Sequence, residues 1–202
     1  GAYRGKGHGR GANKGGTEKG ELYPFNEAPG GHRRDVIEVC HLAQSHNNIV
    51  RVGLQYRYKA IYAEALAEVF ERQAIGHVCS VNMLEHRFPF LDKVGQWNKF
   101  NANTGGTLVE KCCHYFDLMN LFAGGKPELV YATGSQATNF KEFQYGNESA
   151  DGLDQAQVIV NYENGVIGGF SLCMFVPGSH EELIVCGEAG RSGGFLYARY
   201  RL

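Results

Sequence analysis

Apolar residues recur along this chain in two periods, and the change of period divides it. Between Asp35 and His46, Val36, Ile37, Cys40 and Ala43 fall on one face of a helix, with Asp35 placed to cap it. Residues 49–55, IVRVGLQ, are apolar and β-branched, which predicts a buried strand. A second amphipathic helix is predicted over 60–72, with Ile61, Ala65, Leu66, Val69 and Phe70 as its stripe. A strand near 77–86 then leads into an aromatic stretch without clear period, 87–105. Loops of that length are commonly functional, and one rich in Phe and Trp reads as ordered.

Residues 107–122 show the strongest helical pattern, ended by Gly124-Gly125. After it the period shortens to that of strands: 127–137, then 154–162 and 166–175 joined through Glu163-Asn164-Gly165, then 181–187. Asn-Gly between two alternating runs is a hairpin signal. From Arg191 the chain is rich in Gly and Tyr and predicts no regular element. A helix followed at once by a strand is a piece of an α/β unit, and helices followed by antiparallel strands form an α+β layer. The expected fold class is therefore α+β: an open, largely antiparallel sheet with helices on one face, preceded by a piece of an α/β unit, which the family resemblance given below makes a remnant of a Rossmann α/β domain. Val158, Val160, Phe170, Leu172 and Met174 are not expected to lie all beneath the same helices. An apolar sheet face left open predicts self-association through it.

Composition changes this picture at the ends. Hydrophobic residues make up 43% and aromatics 12%, enough for a real core. The net charge of −1 hides a basic head, in which Arg4, Lys6, Arg10, Lys14 and Lys19 face one acid, Glu18. Residues 1–20 hold eight glycines and only Tyr3 as a large apolar side chain, so disorder is expected there. Gly7, Gly9 and Gly11 approach a dinucleotide loop, and Gly11 to Thr17 a phosphate loop. No complete register closes, and no strand precedes either. The remaining chain is mildly acidic, which argues against a nucleic-acid-binding fold. Six cysteines with no C-x-x-C pair, several inside apolar runs, read as reduced thiols and a cytoplasmic setting. No apolar run reaches the roughly 18 residues of a membrane span, and the head lacks the apolar core of a secretory signal. The chain opens on Gly1 rather than Met, which fits a piece of something longer.

On a helical wheel, Leu108, Cys112, Tyr115, Met119 and Phe122 form one apolar stripe, widened by Val109, Cys113 and Phe116. Glu110, His114 and Asp117 form a narrow polar line opposite it. From spacing alone several readings stand. Glu110 and His114 could be an i,i+4 pair on a solvated face, worth a few tenths of a kcal/mol. They could instead be an acid/base pair lining a cleft, with His114 taking a hydroxyl proton and Glu110 orienting it. A metal site from Cys112, Cys113 and His114 is disfavoured, since adjacent helical residues point about 100° apart.

Gly105-Gly106-Thr107-Leu108-Val109-Glu110-Lys111-Cys112-Cys113-His114-Tyr115-Phe116-Asp117 resembles the G-G-x-L-x-D-x-G-x-H-x-x-D signature of the glucose–fructose oxidoreductase / inositol dehydrogenase family (Gfo/Idh/MocA). Val52-Gly53-Leu54-Gln55-Tyr56-Arg57-Tyr58 is similar to the family's V-G-F-x-x-R-F segment. Trp97-Asn98 precedes the Gly-Gly turn as a Trp commonly does there. Asn161 to Gly169 and Ile184 to Gly190 resemble its later hairpin and strand. The resemblance covers about 27–190. It implies a Rossmann domain binding NAD or NADP, followed by a C-terminal α/β domain that supplies the substrate wall and the oligomer interface.

Carried onto this chain, the resemblance makes His114 the general acid/base and Glu110 its partner or a ligand for a substrate hydroxyl. Arg57, Tyr58 and Trp97 would border the substrate, and Asp117 would support the helix and the substrate side. Glu110 stands where the family has Asp, and Cys112 where Gly is common. Glu27-Ala28-Pro29 falls at the family's E-K-P motif, so Glu27 and Pro29 would remain at the cofactor while Ala28 replaces its Lys. The implied domains are a Gly-rich head (1–26), a remnant of the dinucleotide-binding domain (27–57), a substrate and oligomerisation domain (58–190) and an irregular tail (191–202). The expected activity is NAD(P)-dependent oxidation of a sugar, inositol or related polyol in a longer parent. This chain alone is expected to bind no nicotinamide nucleotide or metal and to be inactive. Expected partners are the small-molecule substrate and further copies of the chain, with neither membrane nor nucleic acid. The alternatives are a non-catalytic relative kept for assembly, for which Ala28 speaks, and RNA binding through the basic head.

Overall fold

A computed structural model of the protein describes residues 23–25 and 33–199. The head up to residue 22 and the segment carrying Glu27, Ala28 and Pro29 lie outside the described residues. Strand β1 (Tyr23–Phe25), helix α1 (Arg33–Gln44) and strand β2 (Val50–Val52) form a β–α–β unit whose strands pair in parallel. α1 begins two residues ahead of the expected cap, Asp35. The strand expected to be buried over 49–55 is short and open instead: Ile49 is 75% exposed and Val50 39%. A two-stranded sheet is too narrow to bury its own apolar residues.

The chain turns through a 3₁₀ segment, Gln55–Tyr58, into α2 (Ala60–Leu66), whose last turn widens to a π-helix over Ala67–Glu71. Strand β3 (Val78–His86) follows. The 87–105 stretch contains a second 3₁₀ segment (Val94–Lys99) and the single turn α3 (Asn101–Thr104). α4 (Thr107–Glu110) and α5 (Cys113–Ala123) come next, then β4 (Pro127–Ser135) and the small pair β5 (Gln144–Tyr145) and β6 (Glu148–Ser149). β7 (Gln155–Tyr162) and β8 (Ile167–Cys173) form the predicted hairpin, with Gly165 at φ 85° in its turn. β9 (Gly178–Gly187) and β10 (Gly190–Arg199) are the last strands among the described residues.

Six of these strands form one sheet in the order β10-β9-β3-β8-β7-β4. Every pairing is antiparallel except β3 with β8. The open, mostly antiparallel sheet of the expected α+β class is therefore present, and its earliest strand, β3, sits inside it. The stretch from Arg191, expected to be irregular, is instead the edge strand β10, paired with β9 along its whole length. Glycine suits it there: a Cβ on Gly193 would strike the Leu183 carbonyl oxygen, and one on Gly194 would come within 2.8 Å of Ile61 on α2.

One face of the sheet is the core. Val81, Met83, Ala156, Val158, Val160, Phe170, Leu172, Leu183 and Val185 line it, and Tyr115, Leu118, Met119 and Phe122 of α5 press onto it. α5 comes close because Gly168 leaves room: a Cβ there would lie 2.8 Å from the Met119 methyl. Val158, Val160, Phe170, Leu172 and Met174, expected not to share a covering, are all buried. Alternation across β7 and β8 places the first four on the inner face, in one core cluster with α5, and Met174, just past β8, is buried beside Phe90, Thr107 and Leu153. The apolar residues left open belong to the other face and to the edge: Leu129 and Tyr131 on β4, Ile159 on β7 and Ile167 on β8.

Candidate active site

The single helix expected over 107–122 is two. Gly105 (φ 75°) and Gly106 (φ 98°) turn the chain into α4, which stops at Glu110. Across the break the Cys112 amide reaches back five residues to the Thr107 carbonyl, while the Tyr115 amide reaches only three, to Cys112. Wide and tight turns side by side mark an interrupted hydrogen-bond ladder. Glu110 therefore ends one helix and His114 opens the next, and both are buried, at 9% and 5% exposure. A pair on a solvated face does not describe them.

Tyr56 lies against His114. The two rings stack with centroids 4.6 Å apart and planes 17° apart, and Tyr115 meets Tyr56 edge-on at 5.2 Å. The Tyr56 hydroxyl accepts a hydrogen bond from Lys111 Nζ at 2.8 Å, and Lys59 Nζ sits 3.5 Å from the Tyr56 ring centre. His114 Nδ1 is buried without a hydrogen-bond partner among the described residues. Burial pulls the imidazole below its ordinary pKa, helped by Lys111 and Lys59, against a weaker opposite pull from Asp117 and Glu181. These influences favour the neutral, proton-accepting form of His114.

Charges gather around this stack. Glu85 is buried on the core face of β3, with Oε1 3.4 Å from Lys111 Nζ and 3.5 Å from Arg87. Burial pulls Lys111 down, but Glu85 and the Tyr56 hydroxyl outweigh it and keep the ammonium above its usual pKa. Directly across from Glu85 on β9, Glu181 accepts from Lys59 at 2.7 Å and from the Tyr62 hydroxyl at 3.0 Å. Burial pushes the Glu181 carboxyl up, but those two donors and Lys111 hold it below its ordinary value. Burial drives the Tyr115 phenol and the Cys112 thiol far up, so both stay protonated.

The expected substrate-side residues part company. Arg57 and Asp117 hold each other through two bonds of 2.7 and 2.5 Å, so the guanidinium is already engaged. Tyr58 is 68% exposed and accepts from Arg51 at 2.5 Å. Trp97 makes its contacts within its own loop, with Lys93 over its ring and its carbonyl accepting from Phe100 and Asn103. Sequence reasoning passed over Tyr56, Lys59, Glu85, Arg87, Lys111 and Glu181. One signal was available: Val81, Met83 and Glu85 share a strand parity, so a carboxylate stands where the alternation calls for an apolar residue.

The sequence model of the oxidoreductase family's C-terminal alpha/beta domain (Gfo/Idh/MocA) matches residues 67–193. The chain belongs to this family. Both the buried Glu110/His114 segment and the core face of the six-stranded sheet lie inside the matched region. Bacillus subtilis (strain 168) YteT, an oxidoreductase by name, is 33% identical over 88 residues, which are 43% of this chain and 20% of that protein. Among solved structures, GenD2 from gentamicin A biosynthesis, in complex with NAD, superposes with a TM-score of 0.74 at 21% identity, covering 88% of this chain and 48% of that one. Myo-inositol 2-dehydrogenase from Lactobacillus plantarum gives 0.70 at 19% identity, covering 90% and 57%. The chain thus spans about half the length of these solved relatives and a fifth of YteT.

A nicotinamide nucleotide needs strand-to-helix turns whose backbone amides can approach its phosphates. The described residues offer one β–α–β unit with a three-residue parallel pair, and the turn from its first strand into its helix lies outside them. No group of three or more His, Cys, Asp or Glu side chains among the described residues is placed to hold a metal ion. No helix among them is long and apolar enough to cross a membrane.

Proposed function

We propose that this chain is the substrate-side domain of an NAD(P)-dependent oxidoreductase that acts on a hydroxyl of a sugar, inositol or related polyol. The observation that carries the reading is His114: a buried imidazole, packed against Tyr56 and favoured in its neutral form, in the family's signature segment. A neutral histidine can accept a hydroxyl proton as the carbon beneath it is oxidised, and can return it in the reverse direction. Glu110, buried at the end of α4, is the second site residue, a carboxylate suited to a substrate hydroxyl or to the imidazole. Arg57 and Asp117 brace the start of α5 against the 3₁₀ segment rather than bind substrate directly. Tyr58 and Trp97 remain candidates for the rim. Residues 27–57 belong, on this reading, to the nucleotide domain, with Glu27 and Pro29 near the cofactor. The likeness to an NAD complex and to a myo-inositol dehydrogenase supports the cofactor and substrate class; the hydride acceptor belongs to the longer parent.

The test is kinetic, in the full-length parent. His114→Asn should lower turnover by about two to four decades and leave nucleotide affinity nearly unchanged. Glu110→Gln should have a smaller effect. The non-catalytic reading, which Ala28 favours, expects no turnover to lose in the parent. Near-normal turnover in His114→Asn would reject the assigned role.

A further inference from the structure

Lys111 is the residue that the signature segment leaves unexplained. It stands in the break between α4 and α5, with a side chain only 16% exposed. A lysine seldom goes under such cover without partners, because removing an ammonium from water is costly. Its partners are Glu85, at 3.4 Å, and the Tyr56 hydroxyl, at 2.8 Å. Tyr56 in turn has Lys59 over its ring and His114 stacked against it.

We infer that Lys111, Tyr56 and Lys59 form a positioning device for His114, fixing the plane of the imidazole and setting two ammonium charges beside it. The inference rests on His114 being the proton-transferring residue, but its geometry stands apart from that reading. A stacked phenol ring at 4.6 Å restricts rotation of the imidazole about its last torsion. The hydrogen bond from Lys111 and the cation over the ring fix Tyr56 itself.

The charges facing His114 come from several elements. Lys59 flanks the 3₁₀ segment, and Lys111 stands in the break after Glu110, the end of α4. Asp117 lies one turn further along α5 and is engaged by Arg57, while Glu181, on β9, is engaged by Lys59 and Tyr62. Each lysine is itself ion-paired, Lys59 with Glu181 and Lys111 with Glu85, yet at the ring the two cations outweigh Asp117 and Glu181. The same lysines would make an imidazolium short-lived, so the device also favours release of a proton once taken.

The measurement is the titration of the His114 imidazole by NMR in this chain, assigned with His114→Gln. Lys111→Met should move the midpoint upward by about half a pH unit or more, and Lys111→Arg should leave it near wild type. Lys59→Met should move it the same way, giving an independent arm if Lys111→Met fails to fold. In the wild type, the His114 ring protons should show the upfield displacement of a stacked ring, lost in Tyr56→Leu and kept in Tyr56→Phe. Midpoints unmoved in both folded lysine variants, or unstacked ring shifts in the wild type, would overturn the inference. In the parent enzyme, Lys111→Met should carry the acid limb of kcat/KM upward with the NMR midpoint. If the NMR midpoint moves and the kinetic limb does not, the device stands and the catalytic assignment of His114 falls.

Discussion

The His114 ring and the His86 ring are both held below the ordinary histidine pKa of 6.5, chiefly by burial. Lys111 and Lys59 reinforce the effect at His114, and the facing His180 at His86. For such groups the unfolded chain binds the proton first as pH falls, so acid favours unfolding. Their contribution to stability is whole above about pH 6.5 and is lost as pH falls through the lowered folded values. Glu181 acts in the same sense at lower pH, its contribution being present above 4.5 and lost below it. The melting temperature should therefore decline between pH 7.5 and 5, and His114→Gln should flatten that decline. A melting temperature constant over that range would mean that His114 titrates alike in both states. Legibility at this scale was uneven. Glu110, His114 and Asp117 stood out as a polar line in an apolar run, but spacing alone left a solvated face and a cleft both open, and the structure buries the first two.

α5 and β10 show how far local pattern reaches at the scale of the element. The stripe Cys112, Tyr115, Met119 and Phe122 is fully buried or nearly so, as its spacing requires. The break at Lys111 and Cys112 has no signature in that spacing, because it answers to Lys111 meeting Glu85 on β3 and Tyr56 in the 3₁₀ segment. β10 was illegible for a different reason. Glycine weakens strands in isolation, yet here it admits close contact with Leu183 and Ile61. Gly193→Val should therefore cost about 1–3 kcal/mol and open the end of the chain to limited proteolysis. Gly190→Ala is the control, since a Cβ at Gly190 meets nothing within 4 Å. Urea melts of the two variants decide it, and equal stability would mean that β10 does not pack as described.

At the scale of the whole molecule, the sheet has one face covered and one uncovered among the described residues. On the uncovered face Tyr131 lies directly across from Ile159, with Leu129 and Ile167 flanking Asn161 in the next row. All four are between 46% and 56% exposed. A row of this kind is apolar surface in search of a partner. We expect dimers or larger species by sedimentation at micromolar concentration, and a shift to monomer in Ile159→Lys with Tyr131→Lys. A clean wild-type monomer would remove the expectation. It differs from the one drawn from sequence only in the face: Val158, Val160, Phe170, Leu172 and Met174 turn inward together.

Alternation in β7, β8 and β9, the Asn-Gly turn at Asn164-Gly165 and the stripe on α5 are properties of neighbouring residues, so the sequence alone determined them. Backbone sterics and the period of a helix or strand act over a few positions, and they decide which residues share a face. The tertiary structure alone decided which faces meet and which charges pair. Tyr56 and Lys111 are 55 positions apart, Arg57 and Asp117 are 60 apart, and Lys59 and Glu181 are 122 apart. β3 enters the middle of a sheet otherwise built from later strands, which brings Glu85 opposite Glu181 and sets Glu85 against Lys111 at the start of α5. Electrostatic pairing acts over a few ångströms of space and carries no period along the chain, so strand order had to be known before the surroundings of His114 could be read.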